Sequence, residues 1–255
     1  MNTTSPKTLN RLAASFLVLT ILAGFSGAAS AQTIIYADGF SGSSATNLNG
    51  LAPDVRSGAD GGSASATWAA NSGWKADGSN NAASGSQKAS LTFTPDLNKV
   101  YTLSLQLNPT AGTGLFMLGF SSDSSTTFSN GAAPYLTLSD EGTAQIFTSN
   151  NVLATGTNTF TGLALNQTAQ VVLDTTGAAW TAAWFYNGTQ LGSTFTYVTN
   201  PTSTGFVKFA RSLDEVGTVD NFQLSAVPEP STWALLAFSL TTVMVLRRRR
   251  HRGEH

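Results

Sequence analysis

Cysteine is absent from all 255 residues, so no disulfide braces the fold and no thiolate is on hand as nucleophile or metal ligand. Histidine is almost as scarce, its two copies, His251 and His255, falling at the extreme C-terminus. These absences remove the Ser-His-Asp triad, the Cys-His protease and the usual His- or Cys-ligated zinc site from the rest of the chain. Charge is thin as well: Asp, Glu, Lys and Arg make up 11% of the residues, against roughly 25% in an ordinary soluble domain. Between Gln32 and Ala226 six basic residues face twelve acidic ones, a net charge of −6 with no basic stripe, which excludes a nucleic-acid partner. A long segment with a helical period is also missing.

The two ends have a character of their own. Lys7 and Arg11 precede an apolar stretch from Leu12 to Phe25, and Ala29-Ser30-Ala31 supplies the small residues of a signal-peptidase site. Residues 1–31 are therefore expected to be a removable export signal, cut after Ala31. At the other end Thr232 to Leu246 are fifteen residues without charge, about 22 Å as a helix at 1.5 Å per residue. Alone, such a run is short for a bilayer core of roughly 30 Å. Arg247, Arg248, Arg249 and Arg250 follow at once, however, and arginines in that place snorkel to the headgroups and hold their end inside the cell. The expectation is one C-terminal transmembrane helix over 232–246, a stop-transfer cluster and a basic tail over 247–255, with residues 32–226 outside.

Ahead of that segment stands Val227-Pro228-Glu229-Pro230-Ser231-Thr232. Each proline fixes φ near −65° and removes a backbone donor, which predicts an extended junction outside any helix or sheet. Motif, short apolar segment and basic cluster, in this order, resemble the PEP-CTERM sorting signal of Gram-negative surface proteins. The resemblance covers residues 227–252, with the motif itself at 227–231. It implies recognition of Val227, Pro228, Glu229 and Pro230 by an exosortase, an integral-membrane enzyme with a cysteine-based mechanism, that cuts near the motif. It also implies transient membrane anchorage, then a cell-surface or extracellular destination associated with polysaccharide.

The body alternates apolar and polar residues as half-buried strands do. The expected strands are Ala89–Thr94, Val100–Leu107, Leu115–Phe120, Tyr135–Leu138, Ala144–Thr148, Gln170–Leu173, Trp180–Tyr186, Gly205–Phe209 and Val219–Leu224, with Leu103, Leu105 and Leu107 on one face. Turn clusters such as SSDSSTTFSNG and SDEG separate them. The Gly/Ser/Ala-rich stretch from Ser41 to Ser86 predicts long loops with one strand around Ala64 to Ala70. Asn187-Gly188, set between two alternating runs, is a strong signal for a type I′ hairpin. That aromatic hairpin, with Tyr36–Phe40 at one end of the body and Val219–Leu224 at the other, is similar to laminin-G-like and concanavalin-A-like sandwiches, whose first and last strands lie side by side. The fold class expected is an all-β, antiparallel jelly-roll sandwich.

Chemistry in such a body rests on carboxylates, aromatics and amides. Glycoside hydrolysis needs two carboxyl groups across a cleft. The body has two glutamates, Glu141 and Glu215, each directly after an aspartate in a turn-like setting, and it lacks the alternating Glu-x-Asp-x-(x)-Glu strand of the sandwich-fold glucanases. No catalytic residue is assigned. Trp68, Trp74 and Trp184, together with Trp180 and Tyr186, are candidates for stacking on sugar rings, although the Trp180/Trp184 spacing describes a core face equally well. No cofactor is expected. Asp38, Asp77, Asn80, Asn81 and Asp220 supply hard oxygen ligands that leave a structural calcium ion near the paired ends open, beside capped turns as the alternative. The leading reading is a non-enzymatic exported sandwich, the second a lectin-like carbohydrate-binding module, and the third a carboxylate glycosidase.

Overall fold

The structure is a computed structural model that describes residues 31–79, 87–111, 114–123, 133–139, 141–149, 152–153, 158–159, 162–212 and 216–228. The export signal through Ser30, Asn80 and Asn81, Asp140, Asp214 and Glu215 lie outside the described residues, as do Glu229, Pro230, the segment 232–246 and Arg247 to Arg250. Among the described residues no helix is long and apolar enough to cross a membrane.

Fifteen strands are described. They are β1 (Thr33–Asp38), β2 (Val55–Arg56), β3 (Ala69–Ala70), β4 (Gln87–Thr92), β5 (Lys99–Ala111), β6 (Leu115–Ser121), β7 (Tyr135–Ser139) and β8 (Thr143–Ser149). β9 (Val152–Leu153), β10 (Asn158–Thr159), β11 (Gln167–Asp174), β12 (Thr181–Tyr186), β13 (Thr189–Thr196), β14 (Phe206–Arg211) and β15 (Val216–Pro228) complete them. They form two antiparallel sheets. One has the order β13-β12-β11-β5-β15-β1-β2, the other β10-β8-β7-β6-β14-β4-β3, with β9 beside β8.

Alternation builds the sandwich. On β5 Tyr101, Leu103, Leu105 and Leu107 are all buried while Thr102, Ser104 and Gln106 point the other way. Val171 and Leu173 of β11, Trp184 of β12 and Leu224 of β15 join them from the same sheet; Phe116, Leu118, Leu136, Ile146, Val207 and Phe209 meet them from the other. Each aliphatic or phenyl side chain so buried stabilises by about 1.5–3 kcal/mol, which is how the fold manages without disulfides.

The expected strands are present, most of them longer than their alternating cores. The hairpin forms as predicted: Asn187 (φ 48°) and Gly188 (φ 76°) both take left-handed conformations between β12 and β13, with Tyr186 opposite Thr189. The paired ends form too, Tyr36 opposite Leu224 and Asp38 opposite Phe222. Two expectations need correction. The strand near Ala64–Ala70 shrinks to Ala69–Ala70, because the preceding segment is held by loop hydrogen bonds such as Gly50 N to Trp68 O (2.8 Å) and Trp68 N to Leu51 O (2.8 Å). Val227 and Pro228, expected outside any sheet, continue β15 opposite Val100 and Lys99. The sheet tolerates the proline there because β1 pairs only as far as Ala226, so among the described residues β15 has a neighbour on one side at that point.

Candidate functional site

The predicted sugar-stacking aromatics are not on the surface. Trp68 (1% exposed), Trp74 (0%) and Trp184 (0%) are core residues, with Trp180 and Tyr186 also buried, so none presents a ring face to a glycan. The reason is local for Trp184, which alternation places inward with Ala182 and Tyr186. For Trp68 and Trp74 it is tertiary. The loop chain folds back over the sandwich and drops Trp68 against Phe222 (5.0 Å between ring centres) and Phe209 (5.4 Å), and Trp74 against Phe209 (4.9 Å).

Trp68 also ties the loop to the paired ends. Its indole Nε1 donates to Asp38 Oδ2 at 2.6 Å, and the Phe40 amide donates to Asp38 Oδ1 at 2.8 Å. Burial raises the Asp38 pKa; the two hydrogen bonds oppose that shift, and the Asp54 and Asp220 carboxylates add to it. Around this group two residues are left-handed without being glycine: Phe40 (φ 45°), a bulky residue strained by on the order of 1–3 kcal/mol, and Asn221 (φ 47°), a type that takes this conformation readily. The register of β15 against β5 slips between Asp220 and Gln223, so the bulge and Asn221 coincide. Ala37, Asp38, Gly39, Asn221, Phe222 and Gln223 line a solvent-open pocket of about 190 Å³ at this place.

The carboxylates considered for calcium are occupied by turns. Asp77 Oδ1 accepts from the Ser79 amide (3.0 Å) and hydroxyl (2.6 Å), and Asp220 Oδ1 accepts from the Asn221 amide (2.7 Å). Among the described residues no group of three or more His, Cys, Asp or Glu side chains is placed to hold a metal ion. Glu141 is exposed, and its amide donates to Ser139 Oγ at 3.1 Å in a turn.

Register brings together residues that no local pattern connects. Across the outer face of the seven-stranded sheet, Val55, Ala37, Gln223, Ser104, Gln170, Phe185 and Gln190 stand directly opposite one another, one from each strand. None is charged and none is buried. Alongside runs a chain of amides, Asn221 Nδ2 donating to Gln106 Oε1, then Gln106 Nε2 to Asn166 Oδ1 (3.0 Å) and the Asn166 amide to Asn108 Oδ1 (2.7 Å). Sequence reasoning missed this row because each member is an unremarkable polar position on its own strand. Phe185 was the available signal, an aromatic on the polar side of an alternating run.

The eight-stranded sheet has its own outer row, Ser90, Lys208, Gly119, Tyr135 and Phe147. Lys208 (0% exposed) is buried, as are Ser90 and Tyr135. Burial lowers the Lys208 pKa to about 8, neighbouring Lys88 pushes the same way, and Asp123 pulls it back up. Tyr135 stacks on Phe147 (4.4 Å, 7° between planes), and burial pushes its pKa up to about 12.

No protein-family profile matches the chain, and no curated protein does. Solved structures do. An endo-1,3-beta-glucanase from Streptomyces sioyaensis aligns over 78% of this chain and 98% of its own, at 12% identity and TM-score 0.50. A carbohydrate-binding module, CBM66, from Bacillus subtilis aligns over 62% and 94%, at 12% identity and TM-score 0.41. A Caenorhabditis elegans galectin, LEC-6, aligns over 55% and 89%, at 14% identity and TM-score 0.34. At such identities the likeness is one of fold alone: the body shares the antiparallel two-sheet β-sandwich of the glucanase structure.

Proposed function

We infer that this chain is exported across an inner membrane, held there briefly by its C-terminal segment and cut near Pro-Glu-Pro by an exosortase, leaving a non-catalytic sandwich at the cell surface or in the extracellular matrix. The observation that carries this reading is the order of the tail: Val227 to Pro230, fifteen uncharged residues, then four arginines. The last strand reaches into this signal: β15 runs through Val227 and Pro228, so the sandwich closes within the first two residues of the motif. Absence of His and Cys from the body, and the turn setting of Glu141, favour a binding role over a catalytic one. Mass spectrometry of both termini of the protein isolated from its native host tests the reading. A start at Gln32 and an end close to Pro230 are expected; a C-terminus intact at His255 contradicts it.

A second reading, polysaccharide binding by the sandwich, is favoured by the uncharged, accessible row on the seven-stranded sheet. A glycan-bearing host extract would co-sediment with the purified protein in this reading and leave it in the supernatant otherwise.

A further inference from the structure

The tail accounts for delivery, and the inner faces account for the fold. Neither accounts for the row on the seven-stranded sheet. Gln223, Ser104, Gln170, Phe185 and Gln190 occupy β15, β5, β11, β12 and β13 in register, a span of about 19 Å at 4.8 Å per strand. Every glutamine amide and serine hydroxyl both donates and accepts, the combination that a sugar hydroxyl requires. Among the described residues the Gln223 side-chain amide has no hydrogen-bond partner. Phe185 is partly exposed, and Val172 and Ala183 face the same way in the next row, so the ring stands in an apolar step where the C–H face of a pyranose can lie.

Charge narrows the ligand. The row has no ionisable group, the body carries −6, and Asp38, Asp54 and Asp220 gather at its far end, so an anionic chain is repelled. At that same end lies the pocket beside Asp38, Gly39 and Asn221, flanked by the two left-handed residues. Strain at Phe40, whose amide donates to Asp38, is of the kind that collects where a ligand is clamped, and Asn221 beside it is held by Asp220.

We propose that this row binds a neutral polysaccharide laid across the strands, one pyranose face against Phe185, hydroxyls on Gln170, Ser104 and Gln223, and a sugar unit in the pocket beside Asp38. The proposal rests on the reading of the sandwich as a polysaccharide-associated module and gives that reading a location.

Affinity electrophoresis of the full chain through gels containing a neutral glucan, mannan or galactan, with alginate as the anionic comparison, tests it. At least one neutral polymer should retard the protein and alginate should not. Phe185→Ala and the double variant Gln170→Ala/Gln223→Ala should each weaken retardation by about tenfold or more. Phe185→Tyr should keep it, as should Lys88→Gln on the other sheet, and thermal melts should show every variant folded. If no neutral polymer binds, the polysaccharide reading falls and the proposal with it. If a polymer binds the parent and the Phe185 and glutamine variants equally, or if alginate binds best, the reading survives and the row is wrong.

Discussion

On the eight-stranded sheet Ser90, Lys208, Gly119 and Tyr135 of the outer row are buried and Phe147 is partly exposed; on the seven-stranded sheet no member of the row from Gln223 to Gln190 is buried, Gln190 being exposed and the other four partly so. The inner faces of the same sheets hardly differ, both being Leu, Val and aromatic residues in one continuous core. A two-layer sandwich needs only its inner faces to fold. Composition of an outer face is therefore free to serve something else, and here the two outer faces have gone separate ways, one toward a closed, titratable surface and the other toward an uncharged and accessible one.

The largest expected effects test the half of the comparison that says the inner faces are equivalent. Trp184→Ala in the seven-stranded sheet and Phe209→Ala in the eight-stranded sheet should each cost about 3–5 kcal/mol in chemical denaturation. A cheap substitution in either sheet would mean that the two do not share one core. Asp38→Ala comes next, since it strips the acceptor from both the Trp68 indole and the Phe40 amide, at about 1–3 kcal/mol for each donor left unpaired. Trp74→Phe makes the contrast. Among the described residues the buried Trp74 indole N–H has no partner, so that variant loses volume and no hydrogen bond to them.

Matching positions in the two outer rows should respond differently. A β-carbon on Gly119 would stand 2.3 Å from Tyr135 Cβ, so Gly119→Ala should destabilise by about 1–3 kcal/mol. Protonation separates the faces further. Lys208 has a folded pKa of about 8, below its ordinary 10.5, so the folded state sheds a proton that the unfolded chain keeps. Stability should rise between those two values, and Lys208→Met should shrink that rise to what Lys88, whose pKa burial also lowers, still supplies. Tyr135, raised from 10 to about 12, acts in the opposite sense, and its contribution is lost as pH climbs above 10. Urea melts at a series of alkaline pH values read both signs. Smallest of all, Ser104→Ala in the open row should leave stability within about 0.5 kcal/mol of the parent, as a solvated position does.

What could be read from the sequence was whatever repeats at a spacing of two or sits in a turn. Leu103, Leu105 and Leu107 announced β5, and Asn187-Gly188 announced its hairpin, because both signals are local. The burial of Trp68 was not legible, since its indole partner Asp38 lies 30 residues away and a loop brings them together. Two-residue strands such as β2 and β9 carry no period to detect. Pro228 read as a strand-breaker, and only the end of the β1 pairing explains why it is tolerated. The candidate row was the least visible of all, as it exists only once seven strands are in register.

Side-chain amide resonances of Gln170, Gln190 and Gln223, followed by NMR while the neutral polysaccharide that retards the protein is titrated in, put the contrast between the faces to its most direct test. The account predicts that these three amides shift together and saturate with one affinity while the Gln145 amide on the eight-stranded sheet stays still. Movement of Gln145 with the three at rest would contradict it.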